Sequence, residues 1–209
     1  KKRIIASKQN RKMRLVLNVI LLLVAAALAY MLYSSIKEPI AFNGEKNRRK
    51  EIVVDKLETI RTAQEMYRDI TGTFAPNFDT LVDVLTNGRF MRIAVIGDPD
   101  DPNFTGEITY DTSYTDAIKT VDSLKIDLAN LRFVPQFKDT KQAEFQIAAD
   151  TIEYQSTTVA VVEVGTNWST SFMGDYSDTR FSKYDQKYSP NNLIKFGDLN
   201  KPNLSGNWE

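Results

Sequence analysis

Residues 15–33 read LVLNVILLLVAAALAYMLY, and this run decides how the chain is organised. It contains one amide, Asn18, and no charged side chain. At a helical rise of about 1.5 Å per residue, it is long enough to cross a hydrocarbon core of roughly 30 Å. Tyr30 and Tyr33 lie at its end, and rings of this kind favour the membrane interface. The run predicts a transmembrane helix at residues 15–36.

The charges on the two sides of this helix are unequal. Residues 1–14 hold seven Lys and Arg and no acid, whereas residues 37–50 mix both signs. Because Lys and Arg are retained on the cytoplasmic side, we predict a basic cytoplasmic tail, a juxtamembrane linker at 37–50 and a domain at 51–209 on the far side. A cleaved signal peptide is the alternative, but the apolar run ends in bulky residues rather than a small-residue cleavage site.

The composition restricts what the domain can do. The chain has 209 residues, 27 basic and 27 acidic side chains, no cysteine and no histidine. A net charge of zero gives no general attraction for nucleic acid. The missing histidine removes the usual near-neutral general base and the commonest ligand of zinc, copper and iron. The residues therefore predict a protein that is not an enzyme.

Helical periodicity begins beyond Pro39 and Asn43-Gly44, which we expect to break the chain. Apolar residues then recur at steps of three and four, which predicts one amphipathic helix closed by Gly72. The apolar positions are Val53, Leu57, Ile60, Ala63, Tyr67 and Ile70. A second, short helix follows, capped by Asn77 or Asp79 and stopped by Asn87-Gly88.

After the second helix, the period of the apolar residues changes toward two, which is typical of strands. We predict strands at 89–96, 131–135, 144–154 and 157–164, the last two as a hairpin, and a last strand at Leu193, Ile194 and Phe196. Residues 113–128 favour a helix weakly, and the tail at 175–209 is expected to be ordered loop. The fold class is α+β, with a transmembrane helix and a long amphipathic helix packed on an antiparallel β-sheet.

Residues 56–85, KLETIRTAQEMYRDITGTFAPNFDTLVDVL, resemble type IV pilins and the pseudopilins of type II secretion. Those proteins have a long amphipathic helix that ends in a tyrosine, here Tyr67, followed by a turn such as the one at 72–76 and a short helix with a Leu-x-x-Leu face. The resemblance implies a pilin-like fold whose apolar helices bundle along a filament axis. The chain is also similar to an uncharacterised family of single-pass envelope proteins from Bacteroidetes, through LRFVPQFKDTKQAEFQIAADTIE and the ending SGNWE.

The loop at 97–103 gathers Asp98, Asp100 and Asp101 beside an amide. Oxygen ligands at this density could hold calcium, and the resemblance to pseudopilins implies a calcium loop in the sheet region. The spacing matches no EF-hand, and two prolines and a glycine make a solvated turn the alternative. No other cofactor is expected.

Two further sets of residues are candidates for contacts outside the chain. Arg48, Arg49 and Lys50 form a basic cluster that meets either anionic headgroups or plain solvent at the start of a helix. Asn18, Val53, Leu57 and Ile60 form a predicted assembly interface. An amide in the bilayer is best satisfied between helices, and an exposed apolar stripe seeks another helix.

These features predict a structural subunit of a pilus-like filament, pseudopilus or multi-protein envelope machine. It would sit in a bacterial inner membrane with its domain in the periplasm or in an extracytoplasmic filament. Its expected partners are copies of itself and other envelope proteins. The alternative is an anchored periplasmic module that docks a partner or ligand without polymerising.

Overall fold

The computed structural model describes residues 2–96 and 109–208. The chain divides into two compact units, Lys1–Asn47 and Arg48–Glu209. The helices are α1 (Lys2–Thr71), α2 (Phe78–Asn87) and α3 (Ala117–Ser123). The strands are β1 (Arg89–Ile96), β2 (Thr109–Asp116), β3 (Gln146–Tyr154), β4 (Thr157–Asn167) and β5 (Leu193–Gly197). Short helical segments occupy Ser169–Met173, Gly174–Tyr176 and Thr179–Lys183.

The expected breaks at Pro39 and Asn43-Gly44 are wrong, because α1 is helical through both and through the whole of 37–50. Proline removes one backbone donor and crowds the carbonyl four residues earlier, so its effect is confined to about one turn. A glycine inside a helix costs about 1 kcal/mol relative to alanine. Neither cost interrupts a helix of 70 residues that has regular hydrogen bonds on both sides.

The last part of α1, residues 48–71, is called the stem here and belongs to the second unit. Gly72 ends it as predicted, with φ of 83° and its N–H donating to Arg68 O at 2.7 Å. The buried Gln64 side chain then holds the turn, because its amide bonds both the N–H and the C=O of Ala75, at 2.9 and 3.1 Å. Of the two predicted caps, Asn77 and Asp79, it is Asn77 that caps α2, by accepting from Thr80 N at 2.8 Å.

A two-stranded antiparallel ribbon, formed by β1 and β2, follows α2. The predicted strand at 89–96 is confirmed with the same bounds. The helix expected at 113–128 is correct only in part, since β2 extends to Asp116 before α3 begins. Tyrosine and threonine alternate with polar residues in β2, and that pattern suits a strand. At the base of the ribbon, Ala117 N donates to Gly88 O at 3.0 Å.

The second sheet has the antiparallel order β3-β4-β5. The predicted hairpin is confirmed, and Gln155 and Ser156 in its two-residue turn both have positive φ, as a type I′ turn requires. The last strand is confirmed as β5, whose neighbour on the other side is the C-terminal segment, with Asn207 N donating to Lys195 O at 3.0 Å. The tail contains Thr179–Lys183 as a short helical segment in addition to loop.

The strand expected at 131–135 is wrong. Leu131 and Phe133 instead donate backbone bonds three residues back, to Leu128 and Asn130, and only Phe133 forms an isolated bridge, with Glu144. The run therefore begins in turns, and its end makes two backbone bonds to the segment at 143–145, Val134 N to Ala143 O and Phe145 N to Arg132 O, both at 2.9 Å. Pro135 has no N–H to continue this pairing as a ladder.

The buried core of the second unit contains residues from helices and strands alike. The stem supplies a stripe at helical spacing, and the inner face of the three-stranded sheet supplies Val162, Val164, Ile194 and Phe196, each at most 1 % exposed. Phe78, Leu81 and Leu85 of α2 are buried as well. The α+β class with antiparallel sheets is therefore confirmed.

Candidate functional site

The apolar part of α1 is exposed along its length. Large apolar side chains from Met13 to Ile40 are more than half exposed, and Asn18 is exposed among them. In the described part of the chain, this is the one helix that is long and apolar enough to cross a membrane. The unit Lys1–Asn47 thus presents a surface that water does not favour.

The structure corrects the predicted interface on the stem. Val53, Leu57 and Ile60 have no exposed surface and lie in the core of their own unit. The prediction that they form an exposed stripe for another helix is wrong, because the chain's own residues cover them. Of the four predicted interface residues, Asn18 is the exposed one.

The three members of the basic cluster lie in different environments. Arg48 is exposed and Lys50 is half-buried, so burial does not prevent either side chain from contacting a membrane surface. Arg49 is only 5 % exposed, and the prediction that it contacts headgroups is wrong. On a helix, position 49 lies one turn before Val53, on the buried side of the stem.

The buried Arg49 makes an ion pair with the half-buried Asp139. Its Nη1 donates to Asp139 Oδ2 at 3.1 Å and to the carbonyl of Phe172 at 3.0 Å. Its Nη2 lies 2.8 Å from Asp139 Oδ1, although Oδ1 has no hydrogen bond of good geometry. The Phe137 ring lies 4.9 Å from the guanidinium carbon. A charged stem residue is thus bound to two distant parts of the chain.

A glycine allows the backbone to reach this ion pair. Gly174 has φ of 51°, and a Cβ there would meet the Asp139 carboxylate and lie 2.9 Å from the Asp139 carbonyl oxygen. The next residue, Asp175, donates its N–H to Asp139 Oδ2 at 2.9 Å. Two donors therefore converge on one carboxylate oxygen, which compensates the burial of the charge.

Aromatic residues close the far side of the Arg49 site. The Tyr176 ring centroid lies 5.8 Å from the Arg49 guanidinium carbon, and the Tyr188 hydroxyl donates to the Tyr176 carbonyl at 2.7 Å. Burial, together with the nearby charge of Asp178, raises the pKa of Tyr188 to about 12, so this hydroxyl remains a donor at neutral pH. The site is largely enclosed by side chains of its own unit, and its chemistry is that of a structural ion pair.

Sequence reasoning missed this site for a physical reason. The spacing of Arg49 to Val53 and Leu57 places it on the stem stripe, and that is a usable signal for burial. Nothing local marks its partner, because Asp139 lies 90 residues away in an irregular segment. The sequence pattern can predict that an arginine is buried, but only the tertiary fold brings the partner carboxylate of Asp139 to it.

The calcium candidates Asp98, Asp100 and Asp101 lie outside the described residues. Within the described ranges 2–96 and 109–208, no group of three or more Asp, Glu, His or Cys side chains is placed to hold a metal ion.

The Arg49 site gives stability a defined pH dependence. Burial alone would raise the pKa of Asp139, but the hydrogen bonds from Arg49 and Asp175 outweigh it and hold the pKa below its ordinary value. A carboxyl whose pKa is lowered by folding stabilises the protein above its unfolded pKa of about 3.9, and that stabilisation is lost as the pH falls through the folded pKa. The free energy of unfolding should therefore decrease as the pH is lowered from 5, and Asp139→Asn should remove part of that decrease.

Urea denaturation at several pH values from 7 to 3 tests this expectation. The exposed Asp122 supplies the control, since Asp122→Asn should leave the slope against pH as it is in the wild type. A wild type and an Asp139→Asn variant with parallel pH profiles would contradict the assignment.

Comparison of the chain with protein-family models, curated proteins and solved structures finds no match. The class that the structure defines is an α+β unit whose N-terminal helix carries an exposed apolar stretch. The similarity of residues 56–85 to pilins remains a prediction.

Proposed function

We propose that the chain is a membrane-anchored structural subunit of a pilus-like filament, pseudopilus or multi-protein envelope machine, and that it assembles through its apolar N-terminal helix. The observation that carries the proposal is the exposed apolar stretch, which lies in the same helix as a stem packed into an α+β unit. A surface of this size is stable only when lipid or another protein covers it.

The charges suggest the orientation and the compartment. Seven Lys and Arg precede the apolar run and no acid accompanies them, which favours a cytoplasmic N-terminus in a bacterial inner membrane. The unit Arg48–Glu209 then lies in the periplasm or in an extracytoplasmic filament. Exposed Arg48 and half-buried Lys50 are the remaining candidates for contact with anionic headgroups.

Asn18 provides the most specific means of assembly. Lipid tails offer an amide no hydrogen-bond partner, whereas the same amide on a neighbouring helix offers both a donor and an acceptor. Copies of the helix would therefore associate with their Asn18 side chains facing each other. The buried stem residues Val53, Leu57 and Ile60 do not take part in this contact.

Asn18→Leu should weaken the association of copies in the membrane roughly 3- to 30-fold, since interhelical hydrogen bonds of this kind contribute about 0.6–2 kcal/mol. The measurement is energy transfer between dye-labelled full-length chains as they are diluted in detergent micelles. The chain has no cysteine, so one introduced at exposed Lys187 carries the dye alone. Ile20→Leu, on the opposite face of the helix, is the matched control and should leave the association constant unchanged.

Electron microscopy of the same preparations separates the proposed function from its alternative. Filaments or discrete multimers that are lost when residues 1–47 are removed would support the structural subunit. A monodisperse monomer at every concentration would contradict the proposal that the chain assembles with itself. The anchored docking module that binds a partner without polymerising would then be the better description.

A further inference from the structure

Among the described residues, no third strand pairs with the β1–β2 ribbon. Directly paired residues share a face, and so do residues two apart in one strand. Met91 lies opposite Tyr114, and Ile93 lies opposite Thr112. Tyr110 is two residues from Thr112, so all five side chains lie on one side. The four large apolar or aromatic side chains of this set, Met91, Ile93, Tyr110 and Tyr114, are 59, 54, 68 and 65 % exposed. A two-stranded ribbon by itself is at best marginally stable in water.

The two strands of the ribbon carry opposite charge. β1, RFMRIAVI, has Arg89 and Arg92 and no acid, and β2, TYDTSYTD, has Asp111 and Asp116 and no base. Arg89 and Asp116 neutralise each other at the base, with Nε 3.0 Å from Oδ1. Arg92 and Asp111 have no ion pair with any described residue. The outer edge of β1 therefore holds a cation and the outer edge of β2 an anion.

We propose that the ribbon is the contact between the outer units of successive copies of this chain, with β1 of one copy pairing with β2 of the next. The charges favour this pairing, because it brings Arg92 of one copy within reach of Asp111 of the other. Pairing β1 with β1, or β2 with β2, would set like charges opposite each other, which is destabilising.

The apolar face gains from the same arrangement. In the isolated ribbon, Met91 and Ile93 have a cross-strand neighbour on one flank only, from β2. Next to another copy, they also meet Tyr110 and Tyr114 on their second flank, and aromatic–aliphatic pairs of this kind stabilise sheets. The free edge donors and acceptors are paired in the same step.

A head-to-tail contact has a consequence for the assembly. Because each copy uses a different edge toward each neighbour, the contact is heterologous and continues into a ring or an open filament instead of stopping at a dimer. The inference rests on the self-association proposed above and adds a second contact to the one made by the apolar helix.

Charge reversal in the full-length protein tests the contact. Arg92→Asp and Asp111→Arg should each lower the apparent association constant about tenfold, because each sets like charges opposite at every junction. The double variant R92D/D111R should associate as the wild type does. A 1:1 mixture of the two single variants should also recover, since each junction in an alternating assembly again joins opposite charges.

Sedimentation velocity in mild detergent measures the association, and far-UV circular dichroism verifies that each variant is folded. Lys141→Asp, at an exposed position outside the ribbon strands, is the control for charge reversal and should associate normally. Single variants that associate as the wild type does, or that the second substitution fails to rescue, would overturn the ribbon contact and leave the proposed function standing. A wild type that remains monomeric would overturn both.

Discussion

Arg49→Ala is expected to lower the free energy of unfolding by about 2–4 kcal/mol, because it removes a buried guanidinium and leaves a half-buried carboxylate without its counter-charge. Arg49 and Asp139 have relative side-chain exposures of 6 % and 18 %. The substitution also leaves the Phe172 carbonyl without its donor. Loss of a partner from a buried group costs more than the pair contributes net, which is why the expected effect is large.

Arg48→Ala is the matched control for this substitution. Arg48 is the adjacent residue of the same helix, and its guanidinium carbon lies 5.4 Å from the centroid of the same Phe137 ring, but its side chain is exposed. An exposed charge contributes about 0–1 kcal/mol, so the two variants should differ severalfold in their effect. Urea denaturation followed by tryptophan fluorescence suits the measurement, since Trp168 lies 5.0 Å from Phe172 between ring centroids. Equal losses in the two variants would show that the buried ion pair does not determine stability.

The double replacement Arg49→Met with Asp139→Leu distinguishes charge compensation from packing. Apolar residues of similar volume often replace a buried ion pair with little loss, so this variant should be more stable than Arg49→Ala alone. If it is less stable than the single variant, the hydrogen bonds to Phe172 and Asp175 contribute more than the compensation of charge.

The local elements of this fold were predictable because short-range pattern determines them. Glycine at 72 and asparagine at 77 act on the backbone within a few residues, and both acted as predicted. The hairpin between β3 and β4 followed from alternating apolar residues and a short polar turn. At 131–135, by contrast, the apolar run predicts a strand that the structure does not contain, because residues buried in turns and residues buried in a sheet have the same composition.

The candidate site was less predictable, because a pattern shows that a surface is covered but does not show by what. The stripe of the stem predicts burial equally well whether the cover is the same chain or another copy. The spacing predicts an assembly surface on its first half, whereas Val53, Leu57 and Ile60 lie in the core. Asn18 is different, because lipid tails would offer its amide no hydrogen-bond partner, whatever the rest of the fold is.

Leu57→Ala decides between these two roles of the stem, and it is expected to lower the free energy of unfolding by about 2–5 kcal/mol. Leu57 has no exposed surface, so the substitution removes buried methyl groups and leaves a cavity in the core of the second unit. Ile52→Ala is the control on the same helix, because Ile52 is 38 % exposed and should lose about 1 kcal/mol or less.

Measuring stability and association on the same full-length variants makes the result interpretable. If Leu57 packs within its own unit, the urea midpoint of Leu57→Ala falls, while the association of copies changes only as far as unfolding removes folded protein. If the stem were an assembly surface, the midpoint of the dilute monomer would be unchanged and the association constant would fall. The buried stem residues are consistent with the first result, in which the stem packs in a core while the apolar run of the same helix stays exposed.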